Sequence, residues 1–121
     1  MSYDLVFWRQ QPGVRLSPDA VHSALQEGRP VAGLADLPLE RLLPAVLAEF
    51  PGAVREPNGD GEWIDWVSAD ESRSFQVEWS PQHVIASCRG LSGAEMNRLI
   101  EVGSAHGCPL YDPQVQERFD A

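Results

Sequence analysis

The chain has 121 residues, of which 43% are hydrophobic and 22% charged, with a formal net charge of −9. This length and composition fit one folded domain over residues 1–121 and exclude wholesale disorder. The 9 basic residues are all arginines and face 18 acids. Such an excess of negative charge repels phosphate backbones and anionic lipid, so we expect neither a nucleic-acid ligand nor a membrane surface.

Cysteine usage and hydropathy favour the cytoplasm. Cys88 and Cys108 have no C-x-x-C neighbour and are too few for a disulfide framework. Met1 is followed by Tyr3 and Asp4 without a basic segment, so the start does not resemble a signal peptide. No run approaches the roughly 20 apolar residues of a membrane-spanning helix. We therefore expect a cytoplasmic protein.

The first third of the chain predicts a strand and two helices. Tyr3–Arg9 is rich in aromatic and β-branched residues on both faces, which is typical of a central strand covered on both sides. Ser17 as N-cap and Gly28 as stop predict a helix over about Pro18–Glu27.

A second helix is predicted after Asp36, its expected cap, because apolar residues recur at helical spacing. Pro44 lies inside this pattern and either kinks the helix or marks its true start. The apolar positions are Leu39, Leu42, Leu43, Val46, Leu47 and Phe50.

The middle of the chain predicts an antiparallel meander, since four short β-rich runs alternate with tight turns. These runs are Val54–Glu56, Glu62–Ser68, Ser74–Ser80 and His83–Cys88. Ser92 and Glu95 then form a capping-box signature for a third helix that Gly107 ends, and Pro109–Asp112 is a final strand. The predicted fold is α+β: a single antiparallel or mixed sheet of about six strands with three helices on one face, in the order β-α-α-β-β-β-β-α-β.

Catalytic and metal signatures are weak. No two of the histidines and cysteines lie at ligand spacing, so we expect no metal, and no phosphate loop or cofactor motif is present. Ser80 or Ser87 with His83, and Cys88 with His106, are conceivable nucleophile–base pairs, but no nucleophile elbow accompanies them. We expect a binding protein, not an enzyme, and no cofactor.

The segment Glu56–Glu71 holds six carboxylates, two tryptophans and no base. If Ile64 and Trp66 face the core, strand alternation predicts that Trp63, Asp65 and Val67 point outward beside Gln76 and Glu78. Trp8, on the far side of the first strand, could extend the outward patch. Aromatic anchors within a negative field are typical of a surface that binds a basic protein. The candidate partner-binding residues are Asp60, Glu62, Trp63, Asp65, Asp70 and Glu71. The alternative is that Asp70 and Glu71 only solvate a turn, and that a curled meander buries both rings or the C-terminal tail covers this face.

The two ends of the chain carry a resemblance. Met1-Ser2-Tyr3-Asp4-Leu5-Val6-Phe7-Trp8 opens the chain, and Gly107-Cys108-Pro109-Leu110-Tyr111-Asp112-Pro113-Gln114 with Arg118-Phe119-Asp120 closes it. This looks like a group of small bacterial proteins, several of which resemble the immunity proteins encoded beside contact-dependent and type VI secretion toxins. The resemblance implies a cytosolic antitoxin that binds one cognate toxin and occludes its active site. It carries over no catalytic residue.

Three functions remain open from the sequence. The first is an immunity protein whose toxin has a basic cleft for nucleic acid or nucleotides, because carboxylates can mimic phosphates. The second is an acidic protein–protein interaction module or a homo-oligomeric structural subunit without a toxin partner. The third is a small enzyme with an unrecognised site.

Overall fold

The computed structural model describes residues 2–119 and has an α+β architecture. Over these residues, the elements in chain order are β1 (Ser2–Phe7), β2 (Arg9–Gln10), α1 (Pro18–Gln26), β3 (Leu34–Ala35), α2 (Leu39–Glu49), β4 (Val54–Asn58), β5 (Gly61–Val67), β6 (Ser74–Trp79), β7 (Val84–Arg89), α3 (Gly93–Ala105), β8 (Leu110–Asp112) and β9 (Glu117–Phe119).

Within the described residues the main sheet has seven strands in the order β4-β5-β6-β7-β1-β8-β9, and every neighbouring pair is antiparallel. The α+β class, three helices and the β4–β7 meander confirm the prediction. The predicted single sheet of about six strands was wrong in detail, because β9 extends it and β2 pairs with β3 in a second sheet. Strands of two or three residues are too short to show an alternation that a sequence pattern can detect.

Strand β1 is covered on both faces, as its two apolar faces predict. Leu5 and Phe7 belong to a large core cluster with α2 and α3, whereas Val6 belongs to a second cluster with α1. The strand also lies inside the sheet, between β7 and β8. The interior of this protein therefore has two layers of side chains separated by the sheet.

The expectation that all helices share one face was wrong. Helix α1 packs opposite α2 and α3, where its Val21 and Leu25 meet Trp8 and Tyr111. Trp8 is 0% exposed, so it cannot extend an outward patch. Its ring lies 5.0 Å from that of Tyr111, whose hydroxyl donates to Asp19 of α1 at 2.8 Å. Without α1, the second apolar face of β1 would be exposed to solvent.

Helix α2 begins at Leu39, after Pro38 as N-cap, and continues through Pro44. Asp36 is therefore not its cap, and the helix does not start at Pro44. Pro44 is exposed, and the backbone bond that it removes would have used the carbonyl of Glu40, which lies in the half-exposed first turn. The buried stripe of α2 is Leu42, Leu43 and Val46, with Phe50 just beyond the helix.

Helix α3 begins at the predicted capping box. The Ser92 hydroxyl accepts the Glu95 N–H at 3.1 Å, and the Glu95 carboxylate accepts the Ser92 N–H at 3.0 Å. Gly103, on the buried side of α3, allows the helix to approach β1 closely. A Cβ at this position would lie 2.7 Å from the ring of Phe7 and 2.9 Å from the carbonyl oxygen of Cys108.

Candidate partner-binding surface

One face of β4, β5 and β6 is the candidate surface. On the opposite face, Ile64, Phe75 and Val77 enter the core beneath α2 and α3. The candidate face has no buried residue on β4–β6, because α1 covers β1 and β8 instead. We call this side of the sheet the open face.

The strand register orders the open face into rows that run across the sheet. One row crosses five strands, with Asp65 opposite Val54 and Gln76, Ser87 opposite Gln76, and Asp4 opposite Ser87. This polar row lines the floor of an open groove of about 570 Å³. Its polar floor fits a hydrated contact with another macromolecule better than burial of an apolar ligand.

The neighbouring row centres on Trp63. Glu56 lies directly opposite Trp63 on β4, and the β5–β6 register continued by one residue places Glu78 on its other side. The ring is half-buried, and its Nε1 is buried without a hydrogen-bond partner. Glu56 and Glu78 are both exposed, and Glu78 accepts a hydrogen bond from Asn58 at 3.2 Å. An outward tryptophan therefore lies between two carboxylates.

Two valines complete this region, since Val54 and Val67 are each 49% exposed. Both lie on the same face as Trp63 and Asp65. The region thus combines apolar anchors with negative charge at one end of the sheet. We call it the open-face patch and define it by six residues: Val54, Glu56, Trp63, Asp65, Val67 and Glu78.

Glu62, a predicted site residue, lies on the other side of the strand from Trp63. Its carboxylate accepts two hydrogen bonds from Arg55, at 2.8 and 3.0 Å, and this pairing lowers the pKa of Glu62. Its charge is therefore largely compensated within the chain. Asp60 lies in the two-residue turn between β4 and β5, at the tip of the hairpin.

Asp70 and Glu71 lie in the turn between β5 and β6, about 20 Å along β5 from Asp60. The Asp70 carboxylate accepts from the hydroxyls of Ser68 and Ser72 at 2.7 Å each and from the Ser72 N–H at 3.1 Å. These bonds hold the pKa of Asp70 far below its ordinary value. Glu71 has a positive φ of 61°. The hydrogen bonds of the Asp70 carboxylate therefore stabilise the turn in which it lies.

The structure brings together only part of the predicted site. Trp63 and Asp65 share the open face, whereas Glu62 faces away and Asp70 and Glu71 lie at the far turn. The patch also contains Val54, Glu56, Val67 and Glu78, which are not among the predicted site residues. A signal for Glu56 was present: a two-residue turn at Gly59-Asp60 fixes a register in which Glu56 meets Trp63.

The Ser80–His83 pair is formed, at the rim of a cavity of about 290 Å³ beside the end of α1. The Ser80 Oγ lies 2.6 Å from Nδ1 of His83, and burial lowers the pKa of His83. The same oxygen accepts the N–H groups of Gln82 and His83 at 3.3 Å each. The hydroxyl therefore closes the β6–β7 turn. Ser87 points instead to the open face.

In the other conceivable pair, Cys88 and His106, each side chain contacts a backbone carbonyl close to it in the chain. Cys88 is buried in the core, and burial raises its pKa to about 12. The Nδ1 of His106 lies 2.8 Å from the carbonyl oxygen of Val102, one turn earlier in α3.

Comparisons of the chain with protein-family models, with curated proteins and with solved structures found no match. Across residues 2–119, no group of three or more histidine, cysteine, aspartate or glutamate side chains is placed to hold a metal ion. No helix in that range is long and apolar enough to cross a membrane.

Proposed function

We propose that this protein is an immunity protein that binds a cognate bacterial toxin through the open-face patch and occludes its active site. The observation that carries the proposal is the position of Trp63, outward on an uncovered sheet face between Glu56 and Glu78. Tryptophan contributes disproportionately to binding energy at interfaces, and surrounding carboxylates select a positively charged partner.

Charge supports a basic toxin cleft. On β4–β7 the open face carries Glu56, Asp65 and Glu78 against Arg89 alone among charged residues. Enzymes that act on nucleic acids or nucleotides have positive clefts because their substrates are anionic. An acidic inhibitor associates rapidly with such a cleft and competes with the substrate.

The face of the hairpin is a better contact than its edge. Asn58 lies opposite Gly61 across the turn, so these two residues exchange the ladder hydrogen bonds and Pro57 directs its backbone outward. Because proline has no N–H, the outer edge of β4 is a poor template for an added strand. We therefore place the contact on side chains of the patch.

Co-expression tests the proposal. The toxin domain encoded by the neighbouring gene, produced in a bacterial host, should arrest growth, and this protein should restore it. The variant Glu56→Gln/Trp63→Ala/Glu78→Gln should fold but lose protection. A matched control, Glu27→Gln/Glu40→Gln, removes two exposed acids outside the patch and should protect fully.

Failure to restore growth would refute the toxin assignment. Equal loss of protection in both variants would indicate that overall charge, and not the patch, determines binding. A concentration-dependent dimer that the patch variant abolishes, without any rescue of growth, would favour a homo-oligomeric subunit.

A further inference from the structure

Three of the four tryptophans lie beneath an arginine of the same chain. In each case the guanidinium carbon lies within 6 Å of the ring centre, which is the range of a cation–π contact. The pairs are Arg118 over Trp8 at 5.3 Å, Arg73 over Trp66 at 5.9 Å and Arg55 over Trp79 at 5.3 Å.

Trp63 differs from these three rings. Among residues 2–119 no arginine lies over it, although it is partly exposed and stands between two glutamates. The neighbouring strand β4 does not supply the cation. Arg55 is on the other face of β4, where it binds Glu62 and stacks on Trp79.

Arg89 also lies away from Trp63, although it shares the open face. It stands opposite Ser2 and Ser74, in a row that is separated from the Trp63 row by the row of Asp65 and Gln76. The negative ring face and the two carboxylates of the Trp63 row are therefore left without a cation from the described chain.

We infer that Trp63, Glu56 and Glu78 form a receptor for one arginine side chain of the partner. The guanidinium stacks on the outer face of the indole and donates hydrogen bonds to the two carboxylates. A planar guanidinium can make both contacts at once, whereas a lysine ammonium is a strongly hydrated point charge that cannot stack. The identity of the partner rests on the proposed function, but the recognition chemistry does not.

The binding chemistry can be measured without the toxin. The full-length protein, labelled with ¹⁵N, is titrated with a hexa-arginine peptide while the indole N–H resonances are followed. The Trp63 resonance is the one that disappears in Trp63→Phe. It should shift saturably with hexa-arginine, remain unchanged with the neutral isostere hexa-citrulline, and respond to hexa-lysine with an affinity lower by about fivefold.

Variants locate the site. Glu56→Gln/Glu78→Gln should weaken hexa-arginine binding by about tenfold, as judged from the backbone amide shifts of β5. Glu27→Gln/Glu40→Gln, with the same change in charge, should leave the affinity unchanged. Equal weakening by both pairs would overturn the inference, as would equal binding of hexa-lysine or a shift confined to other tryptophans.

The outcome separates the two proposals. Growth rescue without an arginine-dependent shift at Trp63 would refute the arginine receptor but support the proposed toxin inhibition. An arginine-dependent shift at Trp63 without growth rescue would support the arginine receptor but refute the proposed toxin inhibition.

Discussion

The carboxylate of Glu95 joins the start of α3 to the start of β6 through Arg73, the residue that precedes that strand. One of its oxygens accepts the backbone N–H of Ser92 at 3.0 Å, and the other accepts a hydrogen bond from the Arg73 guanidinium. The Glu95 side chain is only 12% exposed, whereas that of Arg73 is 42% exposed, so solvent screens this ion pair from the arginine side. The bond from the Ser92 backbone and the pairing with Arg73 lower the pKa of Glu95, against the opposing effect of burial.

This pKa predicts a pH dependence of stability. Because the folded pKa lies below the unfolded one, the stabilisation by Glu95 is present above the unfolded pKa and is lost as the pH falls through the folded pKa. Glu95→Gln should therefore be less stable than the parent protein at pH 7, and the difference should shrink as the pH falls below about 4.5. Urea unfolding between pH 7 and pH 3 measures it, and a difference independent of pH would contradict the prediction.

Removal of the capping hydroxyl tests the same helix start. Ser92→Ala should lower the free energy of unfolding by about 1 kcal/mol, because the Glu95 N–H loses its acceptor. The control is Ser17→Ala, since Ser17 is the N-cap of α1 but makes no side-chain capping bond. Thermal or urea unfolding should show little change for the control. Equal losses in both variants would show that the loss in Ser92→Ala does not come from the capping hydrogen bond.

The two tryptophans of β5 should differ in their effect on stability. Trp66 stacks on Phe75 with ring centres 5.4 Å apart and meets Phe50 edge-on at 5.5 Å. Trp66→Ala should therefore cost about 3 kcal/mol. Trp63→Ala should cost about 1 kcal/mol, because Trp63 lies outside both core clusters. Chemical unfolding of both variants measures the two losses. The reverse order would indicate that the strand register differs by one residue.

If the open-face patch binds a toxin as proposed, its acids and its tryptophan should affect that binding in different ways. Neutralising Glu56, Asp65 and Glu78 should slow association and reduce its salt dependence, since exposed charges steer encounter, and loss of the hydrogen bonds inferred for Glu56 and Glu78 should add a smaller effect on dissociation. Trp63→Ala should instead speed dissociation, by about 2 kcal/mol or more. Stopped-flow or surface-based kinetics at two salt concentrations separate the rates.

Glu62→Gln is the informative control for these measurements. Its carboxylate is already paired with Arg55 and faces away from Trp63, so its loss should change the association rate less than the loss of Glu56 does. A larger effect of Glu62→Gln would indicate that the partner contacts the tip of the hairpin, near Asp60.

Both thiols should be unreactive in the folded protein. Cys88 is 1% exposed and Cys108 is 0% exposed, and burial is the main cause that raises the pKa of each. A disulfide reagent at pH 8 should therefore label neither at an appreciable rate, and should label both in denaturant. Rapid labelling of one thiol without denaturant would show that its part of the core opens easily.

Local patterns predicted several parts of this structure correctly. Alternation along Ser74–Trp79 placed Phe75 and Val77 in the core, and the same period placed Ile64 inward and Trp63 outward. The Ser92–Glu95 spacing predicted the start of α3. These outcomes depend on a few neighbouring residues, because strand period and capping geometry are set within one element.

The sequence by itself thus determined the elements of the meander, the two apolar faces of β1 and the acidity of the Glu56–Glu71 segment. Only the tertiary structure decided which surface stays open. Helix α1 packs over Trp8 and does not cover Trp63. The strand register places Glu56 and Glu78 beside Trp63. Glu62 lies on the other face, where it binds Arg55. Such choices depend on contacts between residues distant in the chain, which the spacing of apolar residues along one element does not encode.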